Sequence, residues 1–470
     1  MIGKFGKRIH IVGIGGISLS ALATMLAKKH YKVSGSDCKE SEVTKRLECI
    51  GIKVYIGHNE KNITPDIDLV VFSAAVHEDN PEILQAKKLG IKIITRAELL
   101  GLISSDYNCV ISVAGTHGKT TTTGILSDIF LNAGLNPSIH IGGEYDKIGG
   151  NVRAGGDKYF ITEACEYVDS FLSLTNNYAI ILNIQKDHTD YFKNMMHLFS
   201  SFNQFANNTR ENGYVVLNND DDNCTKIKAK CKIISYGAKN NADVVARNIV
   251  QLPNKKYKFD CYYLGEFYES FELGVYGRHN IYNALASICV SIKENIDKDV
   301  IKQSLLEFSG VDRRFQKVGE LCGAHVIHDY AHHPSEIKAS IETAKGIFDG
   351  DIYVVFQPHT YSRTQALYAE FCNCFIGAKE TILYPIYPAR ELPISGITSK
   401  KLSEDLVGTK GKYFESFDEI YRYLQAKVNS RDVILILGAG NIVEICKCFK
   451  NSWQNKKAML HFNYQSKQTR

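Results

Sequence analysis

With 470 residues, 44% of them hydrophobic and 23% charged, the chain is too long for a single core and reads as a globular protein of roughly three domains, not a disordered one. No segment approaches the roughly 20 apolar residues that span a bilayer, which argues against membrane insertion, and the net charge of +5 is spread over mixed Lys and Asp/Glu, which suits small anionic substrates better than nucleic acid. Thirteen cysteines without CxxC or Cys/His zinc spacing point to reduced thiols and a cytoplasmic location.

Taken in chain order, Lys4, Lys7 and Arg8 precede an apolar stretch in the manner of a secretory signal, but Gly13, Gly15 and Gly16 interrupt it. A strand, a glycine turn and a helix from Leu19 to Lys29 explain it better. HIVGIG, KVSGSD, VVFSAAV and KIITR then alternate with helical patterns, as expected of a Rossmann-like βαβ domain over residues 1–106. A second alternating region, 107–316, holds YFITEA, YAIILNI and YVVLNND as strands and an antiparallel stretch over Val244–Tyr276, and the helix Asn280–Ile292 is expected to close it. A third unit, 317–453, carries AHVIHDYA, DIYVVFQPHTY, ETILYPI and DVILILGAG as strands, and residues 454–470 lose periodicity and read as a tail. The fold class is therefore α/β with three domains: Rossmann-like, phosphate-loop ATPase-like, and Rossmann-like again.

CVISVAGTHGKTTTTGIL, Cys109–Leu126, is the most informative run. A buried strand, a glycine-bounded loop and a helix opening at Thr120 place unpaired N–H groups and the positive end of a helix dipole where phosphate binds. Gly115 and Gly118 admit the phosphates, Lys119 supplies a mobile charge, and Thr120 offers a hydroxyl to Mg²⁺. Val113 occupies the place of the first glycine of the strict pattern, yet the run still implies ATP binding. HIVGIGGIS resembles a G-x-G-x-x-G fingerprint with Ser18 at the third glycine, and Asp37 either holds a ribose hydroxyl or is a turn residue. Glu163 ends one strand and Asp187 and His188 end the next, so Glu163 and His188 are candidate metal ligands beside the phosphate loop. His279 and Asn280 open a helix and suit adenine contacts; Arg313 and Arg314 are either a solvated hinge or a phosphate clamp. Asp329, His332, His333, His359 and Arg363 cluster at strand ends of the third domain, facing the ATP domain.

In this order and spacing, GIGGIS, AGTHGKTTT, EACEYVDSFL, NIQKDHTDYF, GRHNIYNA, GVDRRF, HDYAHHPSE, FQPHTYSRT and GAGNI resemble the Mur ligase family over residues 8–445. The resemblance implies UDP-N-acetylmuramic acid, L-alanine and ATP as substrates. By position it places Gly13, Gly15, Gly16, Asp37 and Ser73 on the UDP-sugar, and Gly115, Thr116, His117, Gly118, Lys119, Thr120 and Thr121 on ATP. It further places Thr120, Glu163 and His188 around Mg²⁺, Asn280, Arg314 and Asp329 on the adenosine and phosphates, and His359 and Arg363 on the amino-acid carboxylate. Cys165 and Thr360 depart from residues found in some relatives, and the helix Asn194–Phe205 contains no Lys of the kind several Mur ligases carbamylate.

The implied chemistry is activation of a carboxylate by ATP to an acyl phosphate, with Lys119 and Mg²⁺ offsetting the phosphoryl charge. The alanine amine then displaces phosphate, and His332 or His333 takes its proton. Two other readings compete. A sister ligase would add a preformed peptide to the same acceptor, and a nicotinamide-dependent dehydrogenase would use GIGGIS as its NAD loop. The missing third glycine and the second phosphate loop argue against the dehydrogenase. The sequence is silent on oligomeric state.

Overall fold

The computed structural model describes residues 2–73 and 76–449, so the expected tail, the end of the third unit and Ala74 and Ala75 of VVFSAAV lie outside the described residues. Strands β1 (Arg8–Val12), β2 (Lys32–Asp37), β3 (Lys53–Ile56), β4 (Leu69–Phe72) and β5 (Lys92–Thr95) form an all-parallel sheet in the order β3-β2-β1-β4-β5. The order reverses between β1 and β4, and loops at the C-terminal ends of the strands around such a switch point bind ligands. Gly13, Asp37 and Ser73 all sit at that edge. Sequence patterning missed β3 because KVYI is half-exposed at the sheet edge and shows no apolar run.

The second sheet comprises β6 (Cys109–Ala114), β7 (Ser138–Tyr145), β8 (Gly150–Arg153), β9 (Tyr159–Glu163), β10 (Asn176–Ile181), β11 (Thr209–Asn218), β12 (Lys232–Gly237), β13 (Val244–Gln251), β14 (Tyr257–Tyr263) and β15 (Glu266–Glu272). Its order is β15-β14-β13-β12-β11-β10-β6-β9-β7-β8, parallel from β13 to β7 and antiparallel at both ends. The antiparallel stretch expected from Val244 onward is β13–β15. The helix Asn280–Lys293 does not close this domain. Asn295 turns the chain in the left-handed region at φ 54°, Asp297 caps a further helix, Lys298–Glu307, and that helix packs on β15.

β16 (Gln316–Leu321), β17 (Ala324–Asp329), β18 (Ile352–Phe356), β19 (Glu380–Leu383), β20 (Lys410–Tyr413) and β21 (Val433–Leu437) build the third sheet, ordered β16-β17-β21-β18-β19-β20. Only the β16–β17 pair is antiparallel. Continuous apolar runs such as IYVVF and VILIL are fully buried in its centre, as parallel strands covered on both faces require.

Packing divides the molecule unequally. Leu99, Leu100 and Ile103 of the first unit share one core with Tyr107, Phe160, Phe171 and Leu174 of the second. The helix Arg96–Ser104 approaches so closely that a Cβ on Gly101 would lie 2.3 Å from the Ser173 carbonyl oxygen. The third unit has its own two cores, one on each face of its sheet. Polar contacts from loops and helix ends, Arg313 and Arg314 over the Tyr330 ring, and Phe315 packed against one of those cores link it to the second unit.

Candidate active site

β6 runs between β10 and β9 in the middle of the second sheet and delivers the loop 115–118 to its C-terminal edge. Gly115 (φ 137°) and Gly118 (φ 85°) adopt backbone conformations that side chains resist, and a Cβ on Gly118 would meet the Asn283 Oδ1 at 2.5 Å. The helix Lys119–Asn132 starts one residue before the expected Thr120, with Gly118 as its cap. The loop is clamped from β10's extension. Asn183 Oδ1 accepts from the His117 amide (2.8 Å), Asn183 Nδ2 donates to the His117 carbonyl (3.1 Å), and the Gln185 amide donates to the Thr116 hydroxyl (2.9 Å).

Lys119 points back across this loop. Its ammonium donates to the carbonyls of Gly115 and Thr116 and to both oxygens of Glu166, at 3.1 and 2.9 Å. Burial disfavours its charge, but Glu166 outweighs that and raises the Lys119 pKa. Glu166 was missed by sequence reasoning, although it lies three residues after Glu163 in EACEYVDSF. Its signal was present in the motif and overlooked because Glu163 alone ends the strand.

The metal candidates divide. Gly142 and Gly143 of β7 leave room for two of them: the Gly142 amide donates to Glu163 Oε1 (2.6 Å), and a Cβ on Gly143 would be 3.4 Å from the Thr120 methyl. The Thr120 hydroxyl accepts from Arg314 (3.1 Å). His188, at φ 49°, lies instead beside Glu166, its Nε2 3.8 Å from Oε1, with its ring centroid 4.8 Å from that of Tyr167. Among the described residues no group of three or more His, Cys, Asp or Glu side chains converges to hold a metal alone. A hydroxyl and a carboxylate beside a phosphate loop fit a hard cation that arrives with nucleotide phosphates, since Mg²⁺ prefers oxygen and keeps several non-protein ligands.

A cavity of about 1250 Å³ opens from the loop toward the third unit. His117, Gly118, Thr121, Asn280, Arg314 and Asp329 line it, so these expected nucleotide contacts share one space. Asn280 uses its own amide locally: Nδ2 donates to the Tyr276 carbonyl (2.6 Å) and Oδ1 accepts from Asn283 (2.8 Å). Asp329 accepts from Ser340 (2.5 Å), and burial raises its pKa. The arginine pair separates in role. Both guanidinium groups lie over the Tyr330 ring, Arg313 at 4.9 Å and Arg314 at 5.2 Å; Arg314 also reaches the Thr120 hydroxyl, while Arg313, at φ 65°, buries its Nε. It is not a solvated hinge.

The third unit meets the loop through the helix Pro334–Ile347. His117 Nδ1 bonds Glu336 (3.0 Å), and Ser335 Oγ lies 2.8 Å from His117 Nε2. Glu336 also accepts from the amides of His332 (3.0 Å) and His333 (3.2 Å), closing a capping box at the helix start. Burial would raise its pKa, but the hydrogen bond with His117 and the Arg314 charge outweigh that and hold it well below the usual range. His333 is the cap residue, and both its ring nitrogens are engaged: Nδ1 with Ser335 (2.8 Å), Nε2 with the Lys186 carbonyl (3.1 Å). His332 donates from Nδ1 to the Tyr330 carbonyl (2.9 Å), which leaves Nε2 as the unprotonated nitrogen, and burial lowers its pKa to about 3.

Arg363, 6% exposed, donates to Asp187 Oδ1 at 2.8 Å across the two units and from Nη1 to the His359 carbonyl at 3.3 Å, with His359 Nδ1 3.1 Å away. The Arg363 charge overcomes the burial of Asp187 and holds its carboxyl far below the usual range. Thr360, which caps the short helix Tyr361–Ala366, sits at φ 68° and ψ 146°, a strained conformation next to His359.

In the first unit Gly13, Gly15 and Gly16 form the turn after β1. Asp37 Oδ2 accepts from the Gly15 amide (2.9 Å), and a Cβ at Gly15 would lie 2.8 Å from that oxygen. A Cβ on Gly13 would sit 3.7 Å from the Ser73 hydroxyl oxygen. Asp37 thus shapes the turn.

Three family models match in succession: Mur ligase family, catalytic domain, over residues 8–108; Mur ligase middle domain over 113–291; and Mur ligase, glutamate ligase domain over 313–440. The chain is 45% identical to the UDP-N-acetylmuramate–L-alanine ligase of Caldanaerobacter subterraneus subsp. tengcongensis over 456 residues, 96% of this chain and 98% of that one. It is 46% identical to the enzyme of the same name from Clostridium beijerinckii, over 93% of this chain and 96% of the other. Its fold matches the crystal structure of UDP-N-acetylmuramate-alanine ligase from Thermotoga maritima with a TM-score of 0.79 and 29% identity, covering 96% and 99% of the two chains. A murein peptide ligase from Psychrobacter arcticus shares the fold with a TM-score of 0.70 at 22% identity.

Proposed function

This chain belongs to the Mur ligase family, and on that premise we propose that it joins L-alanine to the carboxylate of UDP-N-acetylmuramic acid at the expense of ATP, in peptidoglycan precursor synthesis in the cytoplasm. The observation that carries the reading is the single cavity whose one wall is the phosphate loop and whose other wall is Arg314, Asp329 and Glu336 from the linker and third unit. Such a space holds ATP with its γ-phosphate directed to Lys119. Among the described residues no helix is long and apolar enough to cross a membrane.

A carboxylate is a poor electrophile. Its oxygen attacks the γ-phosphorus of ATP, ADP leaves, and an acyl phosphate forms; Lys119 and the phosphate-loop amides face the transferring charge. Mg²⁺, held by Thr120 and Glu163 together with nucleotide oxygens, would neutralise phosphate charge there, with His188 steadying Glu166 nearby. The alanine carboxylate is held by Arg363 and His359. Its neutral amine adds to the acyl carbon, phosphate is expelled with the C–O bonding pair, and the amine proton passes to His332 Nε2. His333 is assigned to the helix cap instead, since both its nitrogens are engaged. The peptide-adding alternative shares all of these parts and differs only in what the Arg363 side of the cavity admits.

Phosphate release from ATP and Mg²⁺ tests the reading. Release that needs both UDP-N-acetylmuramic acid and L-alanine supports it. Release with a tripeptide but not with alanine favours the sister ligase, and release with neither removes the assignment.

A further inference from the structure

Arg363 stands on a helix of six residues, Tyr361–Ala366, too short to be stable by itself. The opening amides of such a helix need acceptors from outside it. Thr360 Oγ1 accepts from the Arg363 amide (3.4 Å), and Glu391 Oε2 accepts from the Ser362 amide (2.8 Å). The other oxygen of Glu391 accepts from the Ser362 hydroxyl. Both oxygens of this carboxylate are thus directed at the residue immediately before Arg363, and none of the steps assigned above uses them.

The segment after β19 that carries Glu391 runs back beside His359. The Thr360 amide donates to the Tyr387 carbonyl and the Tyr387 amide to the Pro358 carbonyl, both at 2.9 Å. The His359 and Tyr387 rings stack with centroids 5.5 Å apart and 22° between their planes. Tyr387 is itself packed on the glycine loop after β21, where a Cβ on Gly440 would lie 2.7 Å from its Cγ. Past Tyr387 the chain turns outward through Ala389, at φ 53°, and a bond from the Glu391 amide to the Pro388 carbonyl (2.9 Å). Pro388, Ala389, Arg390, Leu392 and Pro393 are exposed, Leu392 to 84%, and Glu391 alone in that run is half-buried. No apolar burial holds this tip in place; its inward contact is the carboxylate on Ser362. The strained Thr360 backbone persists only where its surroundings over-determine it, and Tyr387 on one side and Glu391 on the other do so. Without Glu391 the helix can relax, and Arg363 can follow Asp187 of the second unit, to which its Nε is bound at 2.8 Å.

We propose that Glu391 is a positioning residue for the amino-acid substrate: by holding Ser362 from within the third unit, it fixes the direction of the Arg363 guanidinium that meets the substrate carboxylate, independently of Asp187. The proposal rests on the function proposed above. It explains why a half-buried carboxylate is carried on an otherwise exposed turn beside His359 and Arg363.

Initial rates of phosphate release by the full-length protein test this, with ATP, Mg²⁺ and UDP-N-acetylmuramic acid present and L-alanine varied. Glu391→Ala is expected to raise KM for L-alanine about tenfold or more, with KM for ATP and for the UDP-sugar as in the wild type. Glu391→Gln, which keeps an acceptor for the Ser362 amide, recovers most of the loss. Ser362→Ala removes only the hydroxyl bond and is expected to give a smaller rise, and adding it to Glu391→Ala changes nothing further. Hydroxylamine separates positioning from general damage. Its nitrogen attacks the acyl carbon and loses a proton, phosphate leaves with the C–O bonding pair, and a hydroxamate forms; it has no carboxylate for Arg363 to meet. Hydroxamate formation by Glu391→Ala should therefore match the wild type. An unchanged KM for L-alanine, an equal rise for ATP or the UDP-sugar, or hydroxamate formation that falls as far as alanine addition overturns the proposal. A wild-type protein that releases phosphate with neither L-alanine nor hydroxylamine would instead overturn the proposed function itself.

Discussion

Replacing Lys119 by Ala removes more than a catalytic charge. Lys119 and Glu166 are 17% and 2% exposed and lie 2.9 Å apart, so the substitution strands a buried carboxylate whose cation is gone. Removing one member of such a pair costs roughly 3–5 kcal/mol. At a urea m-value of about 2 kcal/mol per molar, the unfolding midpoint of the transition that ATP stabilises falls by roughly 1.5–2.5 M. His188 Nε2, 3.8 Å from Glu166, offers partial relief only when protonated. The double variant Lys119→Ala/Glu166→Gln should regain most of the lost stability, because a neutral amide can stay buried among hydrogen bonds. Its phosphate release should nonetheless remain down at least about a hundredfold, since the developing phosphoryl charge still lacks its ammonium. Urea unfolding with and without ATP, beside a phosphate-release assay on the same three proteins, separates the two effects. A single variant that unfolds at the wild-type midpoint, or a double variant no more stable than the single one, refutes the pairing argument. Near-normal turnover in Lys119→Ala refutes the ATP assignment.

Three further outcomes are expected. Glu82 is buried, and the His10 ring 3.5 Å away, with hydrogen bonds from Ser36 and Asn62, outweighs the cost of burial and holds its pKa at about 2, against an ordinary 4.5; Glu82→Gln should therefore cost about 3 kcal/mol near pH 7. Because the folded pKa is depressed, that difference is full above about pH 4.5 and disappears as pH falls toward 2, which unfolding curves across this range would check. His332→Asn should reduce amide formation with ATP binding intact, whereas His333→Ala, which removes the helix cap, should lower stability by about 1 kcal/mol and leave more activity; equal losses of turnover would return His333 to the mechanism. Arg363→Lys keeps the charge but loses the planar fork that meets Asp187 and a carboxylate together, so KM for L-alanine should rise at least about tenfold with KM for ATP unchanged.

What the sequence made legible follows from chain locality. The phosphate loop, the glycine turn and the central strands are local patterns, because consecutive residues both form the element and carry its chemistry. Edge strands such as KVYI and KGKY escaped because they are set by a neighbouring strand's backbone and not by an apolar run. The contacts missed in the site are non-local in the same way. Glu166 becomes meaningful only when Lys119 folds over the loop, 47 residues away in sequence, and Glu336 only when the third unit brings it to His117, 219 residues away. The histidine doublet shows the converse limit: its sequence suggests two equivalent bases, while one ring caps a helix and the other alone retains a nitrogen for chemistry. The distribution of apolar and polar contacts also bears on mechanism. The first two units share a hydrophobic core and so hold the acceptor turn at a fixed place relative to the phosphate loop. The third unit is joined to the second by Arg363–Asp187, His117–Glu336 and His333–Lys186, polar contacts that can be exchanged for water at modest cost. An acyl phosphate must be shielded from water yet its product must leave. A pair of domains on one core with a polar-latched third is suited to both demands, and Arg363 and His359, the residues proposed for alanine, lie on the polar-latched unit.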